Sequence, residues 1–293
     1  MRSYALCLGS KRDSKKKSGF ALIQILIITS IFSVLLLLMV AFSNQAIKDA
    51  LRIQQVHAER LNLYSAANDL LFLLLTKDWY QAASLSYVNF YGYPFQLNIP
   101  DTSADKAIFA RIQSVSGLLD LRAADTELQK WLEFNHVNSA TARQLINQLN
   151  DAQRPDRGRQ QQTVNALYFQ HLSELNTLDA WSPELIKQLK GVSRLHGDEF
   201  NLYLAPDELM AALLPAAQFD IIRRWRQEGS YNINSFRSLV GHELAEQVSL
   251  FSSLELNISI SAAQSTQQLH LQVKIQPNDE EPVKIYSRWW GAK

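Results

Sequence analysis

Residues 15–42 read KKKSGFALIQILIITSIFSVLLLLMVAF: three lysines and a Ser-Gly pair, then an almost unbroken apolar run. No charged side chain occurs from Phe20 to Ile47. At about 1.5 Å of rise per helical residue, Phe20 to Phe42 is long enough to cross the roughly 30 Å of a bilayer's hydrocarbon layer. The apolar core of a cleavable signal peptide usually spans only about 7–15 residues, so this run is too long for the standard type. Positive charge lies before it, on Arg2, Lys11, Arg12, Lys15, Lys16 and Lys17, and only Lys48 follows soon after. That asymmetry predicts a single membrane pass with the N-terminus held in the cytoplasm and the body exported.

The run does not stop where a simple anchor would. Neither glycine nor proline occurs between Phe20 and Tyr91. The chain continues into SNQAIKDALRIQQVHAERLNLYSAANDLLFLLLTKDW, with Ile47, Leu51, Ile53, Val56, Leu61, Leu63, Leu70, Leu71 and Leu74 at mixed three- and four-residue steps. Such spacing predicts one long helix whose first half faces lipid and whose second half is amphipathic.

Charge and composition narrow the possible functions. The 293 residues leave room for one or two domains with a sizeable core. The first nineteen residues carry +5, counting Asp13, which leaves −4 on the remainder against a whole-chain net charge of +1. A mildly acidic body argues against nucleic acid as a partner, because such binding needs clustered positive charge. Cys7 is the only cysteine. Beyond the leader there is thus no thiol for a disulfide framework, a cysteine metal site or a nucleophile.

The C-terminal region carries the clearest strand signal. Leu254, Leu256, Ile258 and Ile260 alternate with polar residues, as do Leu269, Leu271, Val273 and Ile275, and VKIYSRWW follows the turn at PNDEEP. Strict period two with polar turns predicts an antiparallel meander with one buried face, which the amphipathic half of the long helix would cover. AIFARIQSV, 107–115, is a further strand candidate. Between 119 and 248 the pattern is helical. Ser139 is a candidate cap for SATARQLINQL, and WSPELIKQLK places Ser182 at an N-cap with Pro183 in the first helical position. APDELMAALL, AAQFDIIRRWRQEG (closed by Gly229) and SFRSLVG read as helices, LIKQLKGVSRL as two short packed helices, and QRPDRGRQQQ as an exposed loop.

No constellation for chemistry stands out. HELAE at 242–246 has Glu246 where a zinc protease needs its second histidine, and the six histidines lack metal-ligand spacing. His196 with Asp198 and Glu199 reads as a polar turn, and no G-x-S-x-G elbow or phosphate-cradling glycine cluster occurs. DIIRRWRQ sets Arg223, Arg224 and Arg226 around Trp225, either a solvated helix side or a basic patch. Trp289 and Trp290 suit either edge-strand core or an interface anchor.

Basic residues, then Gly19, then Phe20 opening a long helix resembles the processing junction of type IV pilins and type II secretion pseudopilins. The resemblance implies that a prepilin peptidase cuts between Gly19 and Phe20 and methylates Phe20, while the apolar helix is retained as an anchor and filament core. Most members carry Glu at the fifth mature position, where it pairs with a neighbour's terminal ammonium. Here that position is Gln24. Minor pseudopilins of the K type, placed at the filament tip, also lack the Glu. SVSGLLDLRAAD (114–125), LSELNTL (172–178), SPELIKQLKGVSRL (182–195) and FNLYLAPDELMAALL (200–214, a strand leading into an Ala-Pro-capped helix) are similar, in order, to segments of that K type. Its insertion carries an acidic calcium loop. The matching QLNDAQRPDRGRQQQ retains only Asp151 and Asp156 as weak ligand candidates, short of the six to eight oxygens calcium takes, so no metal or other cofactor is expected.

The expected fold is α+β: a long N-terminal helix, transmembrane then amphipathic, packed on an antiparallel sheet with a large, mostly α-helical insertion. The expected organisation is a basic leader (1–19), a transmembrane helix (20–43), an amphipathic helix with the first part of a pilin-like body (44–118), a helical insertion (119–248) and closing strands (249–293). The expected function is non-enzymatic: a minor pseudopilin at the tip of a type II secretion pseudopilus, which helps to start filament assembly and to export folded proteins across the outer membrane. Its expected partners are the inner membrane, the prepilin peptidase, sibling minor pseudopilins and, further out, the secretion channel or its cargo. A minor pilin of a type IV pilus is the alternative within the class; a signal-anchored periplasmic enzyme or binding protein is the alternative outside it.

Overall fold

The uninterrupted helical pattern is realised as a single helix, α1, Lys15–Thr76, of 62 residues. The computed structural model describes residues 15–77, 88–97, 107–123, 125–153, 169, 171–195, 200–241, 253–263, 265 and 267–292. The leader before Lys15, most of the QRPDRGRQQQ loop with Asp156, the His196–Glu199 turn and HELAE lie outside the described residues.

The chain divides into two units, Met1–Leu61 and Asn62–Lys293. In the first, every side chain from Phe20 to Arg52 is exposed, and one stretch of α1 has the length and apolarity to cross a membrane, with a mean hydropathy of 2.9. Hydroxyls within this stretch bond back into the helix: Thr29 to the carbonyls of Ile25 and Leu26, and Ser33 to that of Thr29. Such back-bonding satisfies a polar group where lipid offers no partner.

In the second unit the last turns of α1 bury Leu63, Ala66, Ala67, Leu70, Leu71 and Leu74. These residues join one core with Ile112, Ile258, Ile260, Leu269, Leu271 and Val273 of the sheet. The amphipathic face therefore begins at Leu63. Ile47, Leu51, Ile53 and Leu61, expected on that face, are exposed.

The sheet has five strands: β1 (Phe95–Leu97), β2 (Ile108–Ser114), β5 (Glu255–Ala262), β6 (Gln267–Ile275) and β7 (Val283–Ala292), in the order β1-β2-β5-β6-β7. Every pairing is antiparallel, with Ile112 opposite Ile258 and Ile258 opposite Leu271. The alternation seen in the sequence thus becomes a buried face that α1 covers. The register shifts between Gln272 and Val273, opposite Ser287 and Ile285, which leaves Tyr286 as the extra residue of a bulge in β7.

The chain leaves the sheet after β2 and returns at β5. In between lie α2 (Asp125–Phe134), α3 (Ser139–Gln153), α4 (Pro183–Leu189), α5 (Asp207–Leu213), α6 (Ala216–Glu228) and α7 (Ile233–Val240). The Ser182 hydroxyl accepts the Leu185 amide with Pro183 first in α4, and Gly229 closes α6 at φ +68°. Three expectations change. The cap of α3 is Asn138, whose Oδ1 accepts the Thr141 amide, because Ser139 is already helical. The segment after α4 forms a strand instead of a second helix: β4 (Ser193–Arg194) pairs in parallel with β3 (Leu119–Asp120), so the insertion holds a small sheet of its own. Leu202–Leu204, expected as a strand, is a 3-10 turn because the Asn201 side chain accepts the Tyr203 amide. β1, at three residues, is too short for alternation to reveal and was not anticipated.

Candidate functional site

The proposed processing junction lies inside α1. Gly19 and Phe20 are helical, Phe20 is exposed, and Gln24 stands one helical turn on. Residues i and i+4 share a helix face, so Gln24 presents its amide beside Phe20. The junction and Gln24 belong to the first unit, Asp151 and the C-terminal tryptophans to the second. Asp151 is exposed in the last turn of α3. Among the described residues no group of three or more His, Asp, Glu or Cys converges in a way that would hold a metal.

The two tryptophans take different roles. Trp290 is partly buried, edge-on to Tyr64 of α1 at 5.3 Å, and Arg288 lies over that tyrosine at 5.2 Å. Trp289 is on the other face of β7, half exposed and stacked on His270 at 5.0 Å. Burial holds the His270 pKa below its ordinary value. Trp290 is therefore core and Trp289 surface, an outcome decided by strand alternation.

The most concentrated polar chemistry lies elsewhere, around Arg226. Arg223 and Arg224 are exposed, but Arg226 is buried, so the three arginines do not form one patch. The spacing carries the reason: Phe219, Ile222 and Arg226 follow three- and four-residue steps, which puts Arg226 on the apolar stripe of α6. That spacing is the feature of the sequence that separates Arg226 from its two exposed neighbours.

Two of the three guanidinium nitrogens are matched, and Nε is buried with no hydrogen-bond partner among the described residues. One nitrogen donates to Asp207 Oδ1 at 2.7 Å in an ion pair. The other donates to the carbonyls of Ala205 at 2.9 Å and Tyr203 at 3.1 Å, with the Tyr231 hydroxyl at 3.4 Å. The rings of Tyr91 and Tyr231 lie 4.3 and 4.8 Å from its central carbon. Tyr231 is in turn stacked on Tyr203 at 4.5 Å, and Phe236 closes the cluster edge-on. The Tyr93 hydroxyl donates to the second oxygen of Asp207. Burial works against the charge on Arg226, but Tyr231 and Asp207 outweigh it and the group stays cationic. A lone buried charge is prohibitively costly; a flat cation fixed by a carboxylate, two carbonyls and two ring faces is not. The cluster thus fastens α6 to α5 and to the segment around Tyr91 and Tyr93.

The sequence matches no protein-family model and no curated protein. Among solved structures, one chain of the crystal structure of the GspK–GspI–GspJ complex from the type 2 secretion system of enterotoxigenic Escherichia coli superposes with a TM-score of 0.51. The identity is 14%, and the match covers 82% of this chain and 98% of that one. At this identity the likeness speaks to fold, and the long N-terminal helix, antiparallel sheet and additional helices agree with it. The chain has a pseudopilin-like α+β fold.

Proposed function

We propose that this chain is a minor pseudopilin of a type II secretion machine, of the K type, acting at the filament tip. The observation that carries the reading is a conjunction: a Gly19–Phe20 junction behind a basic leader, on a helix that continues without a break into a pseudopilin-like body. Under this reading residues 1–19 are removed and Phe20 becomes a methylated N-terminus. The apolar part of α1 then holds the subunit in the inner membrane, with its body in the periplasm. Gln24 can hydrogen-bond but supplies no charge to neutralise a neighbour's ammonium. The absence of that charge suits the first subunit of a filament, which has none ahead of it to pair with. Sibling minor pseudopilins would be its immediate partners, and the large helical insertion would stand at the tip, toward the channel or cargo. The role asked of the protein is mechanical; no step of bond chemistry is assigned to it.

The test is the intact mass and N-terminal sequence of the membrane-extracted protein from cells with and without a prepilin peptidase. The expected result is a chain starting at methylated Phe20 only when that enzyme is present. A chain that keeps KKKSG in both strains would make the protein an ordinary signal-anchored one, and the pseudopilin reading would fall.

A further inference from the structure

Segment 88–97 runs along the side of β2 that β5 does not occupy. Phe95, Gln96 and Leu97 pair with Ala110, Phe109 and Ile108 as β1. Farther along, the Gly92 amide donates to the Ile112 carbonyl at 2.9 Å, and the Ser114 amide donates to the Phe90 carbonyl at 2.9 Å. Between these two bonds Tyr91 bridges to Gln113. The segment thus covers a strand edge with few backbone bonds and one short strand. Left open, such an edge offers unpaired amides and carbonyls to any other extended chain.

Val88, Phe90, Phe95 and Leu97 anchor the segment in the core, and the tyrosines between them add a polar fastening. Tyr91 lays its ring over the Arg226 guanidinium, and Tyr93 gives its hydroxyl to Asp207, the ion-pair partner of Arg226. Tyr91 and Tyr93 also meet edge to face at 5.2 Å. Arg226 and Asp207 come from α6 and α5 of the helical insertion, more than a hundred residues away in sequence. On the same side, Gln113 of β2 donates to the Leu204 carbonyl at 2.9 Å, and the Asn201 amide donates to the Ser116 carbonyl at 2.8 Å. Segment 201–207 is therefore seated against the end of β2 before it offers Asp207 and two carbonyls to Arg226.

We propose that segment 88–97 is a strap over the β2 edge and that the Arg226 guanidinium, caged by tyrosines and paired with Asp207, is its buckle. Released from the buckle, the middle of the strap around Tyr91–Tyr93 loosens from β2, while β1 and the rest of the sheet stay formed. This inference stands apart from the secretion reading: it concerns how the body keeps one sheet edge closed, and processing at Gly19 does not bear on it. The shape of the cation matters as well as its charge. A planar guanidinium fits between two ring faces while it donates in its own plane to a carboxylate and two carbonyls; a lysine ammonium cannot do both.

The test is site-resolved hydrogen exchange on the detergent-solubilised full chain. In Arg226→Ala the Gly92 and Ser114 amides should exchange at least about tenfold faster, with the amides of β5 and β6 unchanged. Guanidinium chloride at a few tens of millimolar, well below denaturing levels, should restore much of that protection, and sodium chloride at equal concentration should not. Arg226→Lys should recover only part of it. Should Arg226→Ala fail to fold, Tyr93→Phe removes one hydroxyl only and should speed exchange at Gly92 ahead of the sheet. Unchanged exchange at Gly92 and Ser114 would overturn the proposal. So would loss of protection across β5 and β6 in step with the strap, full recovery with lysine, or equal rescue by sodium chloride.

Discussion

Four tyrosines surround Arg226 and share one electrostatic fate. Burial is the largest influence on each and raises all four pKa values above the ordinary phenol value, that of Tyr203 to about 12. The Arg226 charge opposes the rise at each of them, and for Tyr93 the hydrogen bond to Asp207 adds to it. In the unfolded chain these phenols titrate near 10. Below that pH both states keep their phenolic protons, so these tyrosines add no pH dependence to stability there. Between about pH 10 and 12 the unfolded chain releases protons that the folded chain retains, and stability falls as pH rises. The urea midpoint of the full chain should therefore drop across that interval, with a shallower drop in Tyr203→Phe. A midpoint that stays flat to pH 12 would mean that these rings are not held in their buried positions.

Among the elements, a close fit is that between the 3-10 turn Val115–Gly117, which ends β2, and the turn Leu202–Leu204. A Cβ built on Gly117 would lie 2.2 Å from the Leu204 carbonyl oxygen and 2.5 Å from its carbon. Both are backbone atoms, and Leu204 is further fixed by its bond from Gln113. Nothing nearby can rotate out of the way, so the two turns would have to separate. Gly117→Ala should cost about 3 kcal/mol, the upper part of the usual range for overpacking, measured by urea or thermal unfolding. The same change at Gly191, where the nearest atoms lie at 3.7 Å, serves as the matched control and should cost little. Equal effects at the two positions would show that the close approach at Gly117 does not exist in solution.

At the scale of the whole molecule, the division at Leu61 and Asn62 leads to a truncation experiment. Burial on α1 begins at Leu63, and the core that α1 shares with β2, β5 and β6 uses only its last turns. A chain beginning at Asn62 keeps all of those contacts and loses the apolar run. It should be water-soluble without detergent and unfold cooperatively, by circular dichroism and urea titration, whereas a chain beginning at Thr76 should not fold. Aggregation of the longer fragment would show that residues before Asn62 hold the body together.

What the sequence determined by itself was whatever depends on local pattern. The absence of glycine and proline let α1 run unbroken from Phe20 to Thr76, because neither helix breaker interrupts its backbone. Strict alternation dictated β5 and β6, the polar turn after β6 pointed to β7, and the Ser182-Pro183 pair and Gly229 dictated ends of α4 and α6, since each acts on its own backbone. The proposed processing junction rests on local pattern too: leader, glycine and apolar helix are contiguous. Tertiary structure alone decided where distant residues meet. Tyr91, Asp207 and Arg226 are scattered over more than a hundred residues, and no periodicity links them. The spacing of Arg226 placed it on a buried stripe, but the partners that make its burial tolerable came only from the fold. The short strands β1, β3 and β4 were hidden likewise, because two or three residues carry no alternation and take their conformation from the strand beside them. A buried charge and a short strand are both stabilised by groups remote in sequence, and only the folded chain brings those groups together.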